Sequence, residues 1–184
     1  MGLLDKLFVA VGFKKRKVKI ICCGLDNSGK STIINKLNPK KIDKPVDPTV
    51  GFSVEEFEKN QIQMTVFDMS GQGRYRYMWE CFYQKLDGII FVIDSTDDQR
   101  LCVARDELYA ILRHKDVEST PILILANKQD LDNAISPADL TTALHLYALN
   151  AREWNLVATD ALKGTGIEDG IRWLSDSVVK KVST

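Results

Sequence analysis

The stretch Gly24-Leu25-Asp26-Asn27-Ser28-Gly29-Lys30-Ser31 decides how this chain folds. It fits the spacing G-x-x-x-x-G-K-[ST], follows the apolar run Val18, Ile20, Ile21, Cys22, Cys23, and opens a helical pattern at Ile33, Ile34 and Leu37. Strand, glycine loop and helix, in that order, form the context in which such a spacing cradles phosphates. Glycine lets backbone N–H groups turn inward around the α- and β-phosphates, and the N-terminus of the following helix favours negative charge. Lys30 then reaches the β- and γ-phosphates, the Ser31 hydroxyl suits magnesium, and Thr32 lies beside the α-phosphate. The loop implies a bound nucleotide.

Outward from that loop, the 184 residues suit one α/β domain, and the 45% apolar content is enough to build its core. The formal net charge is zero, so nothing in the global charge attracts nucleic acid. No apolar run approaches the roughly 20 residues needed to cross a bilayer. The basic cluster Lys14, Lys15, Arg16, Lys17 follows the first apolar stretch rather than preceding it, which is the reverse of a secretory signal. Cys22 and Cys23 are neighbours in an expected strand, so they face opposite sides of the sheet. These two, with Cys81 and Cys102, are expected as buried free thiols of a reducing cytoplasm. His114 and His145 lack metal-ligand spacing and read as surface or helix-end residues.

In chain order, Leu3, Leu4, Leu7, Phe8 and Val11 make one apolar helix face, with the basic cluster behind it. The composition leaves two readings open: a helix packed on the domain, or an amphipathic helix in a membrane interface drawn to anionic lipid. The chain divides on this basis into residues 1–17, helix and basic linker, and residues 18–184, the domain. Gly2 invites acylation, but Lys6 stands where the motif wants a hydroxyl. Pro39, Pro45 and Pro48 mark a long loop that ends at Pro48-Thr49-Val50-Gly51. Alternation at Phe52, Val54, Phe57 and again at Ile62, Met64, Val66 predicts an antiparallel hairpin turning near Lys59-Asn60. Its second strand delivers Asp68, a Walker-B type magnesium partner, ahead of Ser70-Gly71-Gln72. A short helix over 74–86, buried strands at 88–94 and 121–126, and a last strand at 154–158 complete the expected sheet. Helices follow at Leu101–Leu112, after the Ser136-Pro137 cap, and along Ile167, Ile171, Leu174 and Val178. The expected fold is α/β of the P-loop NTPase type. Its doubly wound, mostly parallel six-stranded sheet has helices on both faces, with the amphipathic helix in front.

Asn127-Lys128-Gln129-Asp130 stands directly after a strand. Its aspartate can accept the N1 and N2 protons of guanine, an edge that adenine does not offer. The Lys128 stem can cover one face of the base.

Together GLDNSGKST at 24–32, PTVGF at 48–52, FDMSGQGRYR at 67–76, IIFVIDSTD at 89–97, NKQD at 127–130 and ATDALKGTGI at 158–167 resemble the Arf and Arf-like small GTPases. The resemblance implies a slow GTP hydrolase that binds GTP or GDP with magnesium and acts as a monomer. GTP-binding residues would be Gly24, Leu25, Asp26, Asn27, Ser28, Gly29, Lys30, Ser31, Thr32, Thr49, Gly71, Asn127, Lys128, Asp130, Ala158 and Thr159. Ala158 would give its N–H to guanine O6. Ser31, Thr49 and, through water, Asp68 would hold magnesium. Lys30, Thr49 and Gln72 would carry the chemistry, with Gln72 orienting the attacking water. Phe52, Phe67 and Phe82 would form an effector surface. An exchange factor, an activating protein that brings arginine in trans, and an effector or coat complex would be the partners. Ser70, where most members have glycine, resembles the Arf-like branch linked to Bardet–Biedl syndrome. That implies a BBSome-like coat, a cilium, and a cytoplasmic protein peripheral to membrane in its GTP state. Asp26 beside the γ-phosphate is expected to repel it, and Arg74 and Arg76 to be surface residues or effector contacts. A GTP-gated binding module with negligible hydrolysis is the alternative.

Overall fold

Both faces of the central strands are covered, which is why their sequences read as unbroken apolar runs rather than alternating ones. The computed structural model describes residues 16–38, 40–41, 47–59, 62–150 and 152–183. The expected N-terminal helix, with Leu3, Leu4, Leu7, Phe8 and Val11, and the hairpin turn at Asn60 lie outside the described residues. Strands β1 (Arg16–Cys23), β2 (Phe52–Lys59), β3 (Ile62–Met69), β4 (Gly88–Asp94), β5 (Ile122–Asn127) and β6 (Trp154–Ala158) form one six-stranded sheet. Their order is β2-β3-β1-β4-β5-β6, and only the β2–β3 pair is antiparallel. The helices are α1 (Lys30–Leu37), α2 (Leu101–Leu112), α3 (Pro137–Ala143) and α4 (Ile167–Ser183).

Adjacent residues of β1 feed different halves of the core. Ile21 and Cys23 join the cluster under α2, α3 and the segment around Trp79, while Ile20 and Cys22 join the cluster under α1 and α4. Burial pushes both thiols well above their ordinary range, so they behave as small apolar groups. Cys81 and Cys102 are exposed, because they fall on outward positions of their helices; the expectation that all four thiols are buried is corrected. The strand also starts earlier than the division at residue 17 supposed. Arg16 and Lys17 are ladder residues, paired with Ile62 and Gln63, and not linker.

The order in which the strands are connected reverses at β1, which lies between β3 and β4 and is parallel to both. Such a switch point leaves a crevice at the carboxyl ends of the strands, and the Gly24–Lys30 loop occupies it. Ser136 caps α3 as its sequence predicts: its hydroxyl oxygen accepts from Asp139 N at 3.2 Å, with Pro137 opening the helix. The segment expected as a short helix over 74–86 is a 3-10 helix, Gly73–Phe82. Three residues per turn stack Arg76, Trp79 and Phe82 in one row. Trp79, 2% exposed, anchors that row in the core, and its Nε1 donates to Ser70 O at 3.0 Å.

Replacing Trp79 by alanine empties the largest fully buried side chain and leaves the Ser70 carbonyl unpaired. We expect about 3–5 kcal/mol of lost stability in denaturant unfolding. A loss under about 1 kcal/mol would mean that the 3-10 segment is not docked through this ring.

Candidate nucleotide site

A cleft of about 510 Å³ opens at the carboxyl ends of the strands. The glycine loop and the start of α1 form one wall, through Asp26, Asn27, Gly29, Lys30, Ser31 and Thr32. Asp47, Pro48 and Thr49 with Ser70, Gly71 and Gln72 close one end, and Asn127, Lys128, Asp130, Asp160, Ala161 and Leu162 close the other. Gly24, Leu25, Ser28 and Thr159 support this wall from behind: Leu25 is 6% exposed, Ser28 0% and Thr159 1%.

At the loop's turn, Gly29 has φ +96°, and a β-carbon there would come within 2.3 Å of Asn127 Nδ2. That close approach is used. Asn127 Nδ2 donates to Ser28 O at 2.8 Å, while its Oδ1 accepts from Ala161 N at 3.0 Å and from Thr159 Oγ1 at 3.3 Å. One buried amide therefore ties the phosphate loop to the two loops at the far end of the cleft. Lys128 Nζ donates to Asp94 Oδ2 at 2.5 Å, which lays its aliphatic stem along the cleft wall. Burial would raise the Asp94 carboxyl, but bonds from Lys128 and Thr96 outweigh it and hold it below its ordinary value. Asp130 is exposed to the cleft.

At the other end, three oxygens from distant segments converge. Ser31 Oγ is 2.5 Å from Asp68 Oδ2 and 2.9 Å from Thr49 Oγ1, and Thr49 Oγ1 is 3.4 Å from Asp68 Oδ2. Asp68 Oδ1 and Ser70 Oγ are buried nearby without a partner among the described residues. An all-oxygen set with spare buried acceptors fits a hard divalent cation that keeps part of its water shell. Burial raises the Asp68 carboxyl, while bonds from Ser31 and Thr49 and the Lys30 charge partly counter it. Lys30 is itself lowered by burial; its Nζ donates to Leu25 O at 2.8 Å, within reach of the phosphate wall.

These site motifs on this sheet order narrow the choice of family, and sequence comparison makes it. Residues 4–178 match the ADP-ribosylation factor family. This chain belongs to that family. Among its relatives, the ADP-ribosylation factor-like protein 6 of Danio rerio is 46% identical, over 97% of each chain. Its counterpart in Caenorhabditis briggsae is 41% identical over 100% of this chain and 98% of its own. Among solved structures, the Arl6 BBS3 small GTPase of Trypanosoma brucei with bound GppNp matches with a TM-score of 0.84 at 40% identity. That match covers 89% of this chain and 98% of that one. The protein is thus a small Arf-family GTPase that binds guanine nucleotide and hydrolyses GTP.

Three sequence expectations change within this Arf-family site. Ala158 does not line the cleft, because it is a ladder residue of β6 opposite Ala126; Asp160, Ala161 and Leu162 take that wall. The sequence did contain the signal, since Asp160 caps the loop by accepting from Leu162 N at 2.9 Å and Lys163 N at 3.1 Å, which turns Ala161 inward. Asp26 is not a bare charge. Its Oδ1 lies 3.0 Å from Arg100 Nη1 and 3.6 Å from Arg76 Nη2. Arg76 is correspondingly no surface residue: its side chain is 15% exposed, with Nη1 2.9 Å from Glu107 Oε1.

Asn127→Ala would leave Ser28 O and Ala161 N unpaired in a buried setting. We expect about 2–3 kcal/mol lost from the thermal stability of the nucleotide-bound protein, with faster release of GDP. Asp130→Ala should spare the fold and lower the preference for guanine over adenine nucleotides about a hundredfold in competition binding.

Proposed function

We propose that this Arf-family GTPase is a magnesium-dependent switch. It recruits an effector or coat complex to membranes in its GTP state, in ciliary membrane traffic. The observation that carries the reading is the meeting of Ser31, Thr49 and Asp68 within 3.4 Å. Thr49 comes from the loop before β2 and Asp68 from the end of β3, so the cation and third phosphate are read by both ends of the hairpin. Ser31, Thr49 and, through water, Asp68 would hold magnesium, which when bound neutralises phosphate charge. The backbone around Gly29 and Lys30 holds the phosphates, the Gly71 amide senses the third one, and Asp130 reads guanine, with Ala161 on the cleft wall beside it.

Hydrolysis is slow in this reading, for a stated reason. Gln72, the residue that orients the attacking water, has its Oε1 accepting from Arg74 Nε at 3.2 Å. Arg76 and Arg100, the arginines beside the phosphate loop, are paired with carboxylates. An activating protein that supplies arginine in trans would meet both needs. The Gln72–Arg74 contact also favours the alternative, a GTP-gated binding module with negligible turnover.

The effector surface combines Phe52, Phe67 and Phe82, whose rings pack with centroids 4.7 and 5.0 Å apart, and Phe52 is 41% exposed. The suggested coat is BBSome-like, after the names of the relatives, and an exchange factor would load GTP. No helix among the described residues is long and apolar enough to cross a membrane. Attachment would fall to the residues ahead of β1, with the GTPase unit beginning at Arg16. In that scheme the hairpin changes register on GTP binding and releases the N-terminal helix to lipid.

Single-turnover assays should give a rate well under 1 s⁻¹ (order of magnitude), lowered further in Gln72→Leu. Turnover of several per second by the isolated protein would sink the slow-switch reading, and no difference from Gln72→Leu would favour the binding module. Sedimentation with anionic liposomes should recover the GTP form and leave the GDP form in solution. Equal recovery of both would refute the release of the helix.

A further inference from the structure

We infer that Arg76 is the residue that makes the segment 71–82 favour GTP over GDP, as the centre of a charged clasp between that segment, the phosphate loop and α2. The inference goes beyond the proposed function, which gives Arg76 no role.

Arg76 reaches three separate parts of the chain with one guanidinium. Its Nε donates to Gly71 O at 2.8 Å, its Nη1 to Glu107 Oε1 at 2.9 Å, and its Nη2 lies 3.6 Å from Asp26 Oδ1. Asp26 is held from its other side by Arg100, whose Nη1 donates to Oδ1 at 3.0 Å and whose Nη2 donates to the Asp26 carbonyl at 3.4 Å. Arg100 is fixed in turn by Asp97, with Nε to Oδ2 at 2.6 Å. The phosphate loop is therefore gripped at Asp26 by one arginine from the 3-10 helix Gly73–Phe82 and one from the start of α2.

The grip coincides with a close backbone contact in the site. A β-carbon on Gly71 would stand 2.2 Å from Asp26 N and 2.3 Å from Leu25 C, so Gly71 lies directly on the phosphate loop. Holding the Gly71 carbonyl from one side fixes the plane of the following peptide, which carries the Gln72 N–H. It also fixes where Gly71 and Gln72 stand on the cleft wall. Only a planar fork can bond the Gly71 carbonyl and Glu107 at once while facing Asp26, so lysine is a poor substitute.

Charge adds to position. Asp26, Asp97 and Glu107 carry three negative charges and Arg76 and Arg100 two positive ones. Removing Arg76 leaves Asp26 less compensated beside the site of the third phosphate. Both effects fall on the nucleotide that has a third phosphate and spare the one that lacks it. Arg76 spends its guanidinium on Gly71, Glu107 and Asp26, so its part is that of a positioning residue.

The test compares release of fluorescent GDP with release of a fluorescent, non-hydrolysable GTP analogue from the full chain in magnesium. Wild type must hold both, which separates this inference from the nucleotide-site assignment. Arg76→Ala should release the GTP analogue about tenfold faster with GDP release unchanged, and Arg76→Lys should recover only part of the loss. Glu107→Gln, which keeps Arg76 and loosens it, is the second variant. It should shift GTP-analogue release the same way by a smaller factor, on the order of threefold. Equal acceleration for both nucleotides would make the clasp merely structural and overturn the inference. So would unchanged release of the GTP analogue, or full rescue by lysine. If Arg76→Ala does not fold, Glu107→Gln decides alone by the same comparison.

Discussion

One side-chain amide carries the geometry of the whole site. Asn127, 2% exposed, leaves the end of β5 and spends its donor on the phosphate loop and its acceptor on the loop after β6. Those loops belong to strands β1 and β6, at opposite sides of β5 and β4, and no main-chain ladder joins them. A buried amide bonded through both its nitrogen and its oxygen is hard to displace, since each lost partner leaves a polar group without water. Recognition of the base and grip on the phosphates are consequently one mechanical unit. Glycine at position 29 is part of the same constraint, because any side chain there would occupy the amide's place.

The opposite end of the cleft is built from segments that packing holds less directly. The loop before β2 meets the end of β3 through Ser70 N, which donates to Gly51 O at 2.9 Å, and Trp79 holds the Ser70 carbonyl from beneath. Ser70 is thereby buried to 2% exposure, where the sequence left open how a serine in place of glycine would sit. Lys19 braces the far end of the 3-10 helix by donating to Phe82 O at 3.1 Å and Gln84 O at 3.0 Å, and its ammonium stands 5.1 Å from the Phe67 ring. Burial lowers Lys19, with Asp87 pulling the other way. The exposed aromatic patch and the phosphate end thus rest on shared supports.

Much of this was legible in the sequence for reasons that are local. The glycine loop, the apolar runs of β4 and β5, the Ser136-Pro137 cap and the alternation in β2 and β3 each obey rules that span a few residues. Convergence of Ser31, Thr49 and Asp68 was legible through family resemblance, and the geometry brings those oxygens together. What escaped depended on partners far away in sequence. Asp26 read as a repulsive charge because Arg100 stands 74 positions on, and Arg76 read as surface because Glu107 stands 31 positions on. The 3-10 form of 73–82 escaped too, since a row at positions 76, 79 and 82 suits either helix until Trp79 finds its socket. Ala158 is the residue that motif position suggests, whereas the cap formed by Asp160 puts Ala161 on the cleft wall.

The place of β2 at the margin of the sheet has a consequence for solubility. A sheet margin offers unsatisfied main-chain groups to any passing strand, and repeated pairing of that kind yields aggregates. Here Glu56 and Glu58 point outward along the strand, and Glu55 is engaged by Asn38 and Lys41. A copy of the same strand laid alongside would bring like charges face to face. Only the first residues, Phe52 and Val54, are exposed and apolar. The strand refuses its own kind along most of its length while remaining adhesive at one end.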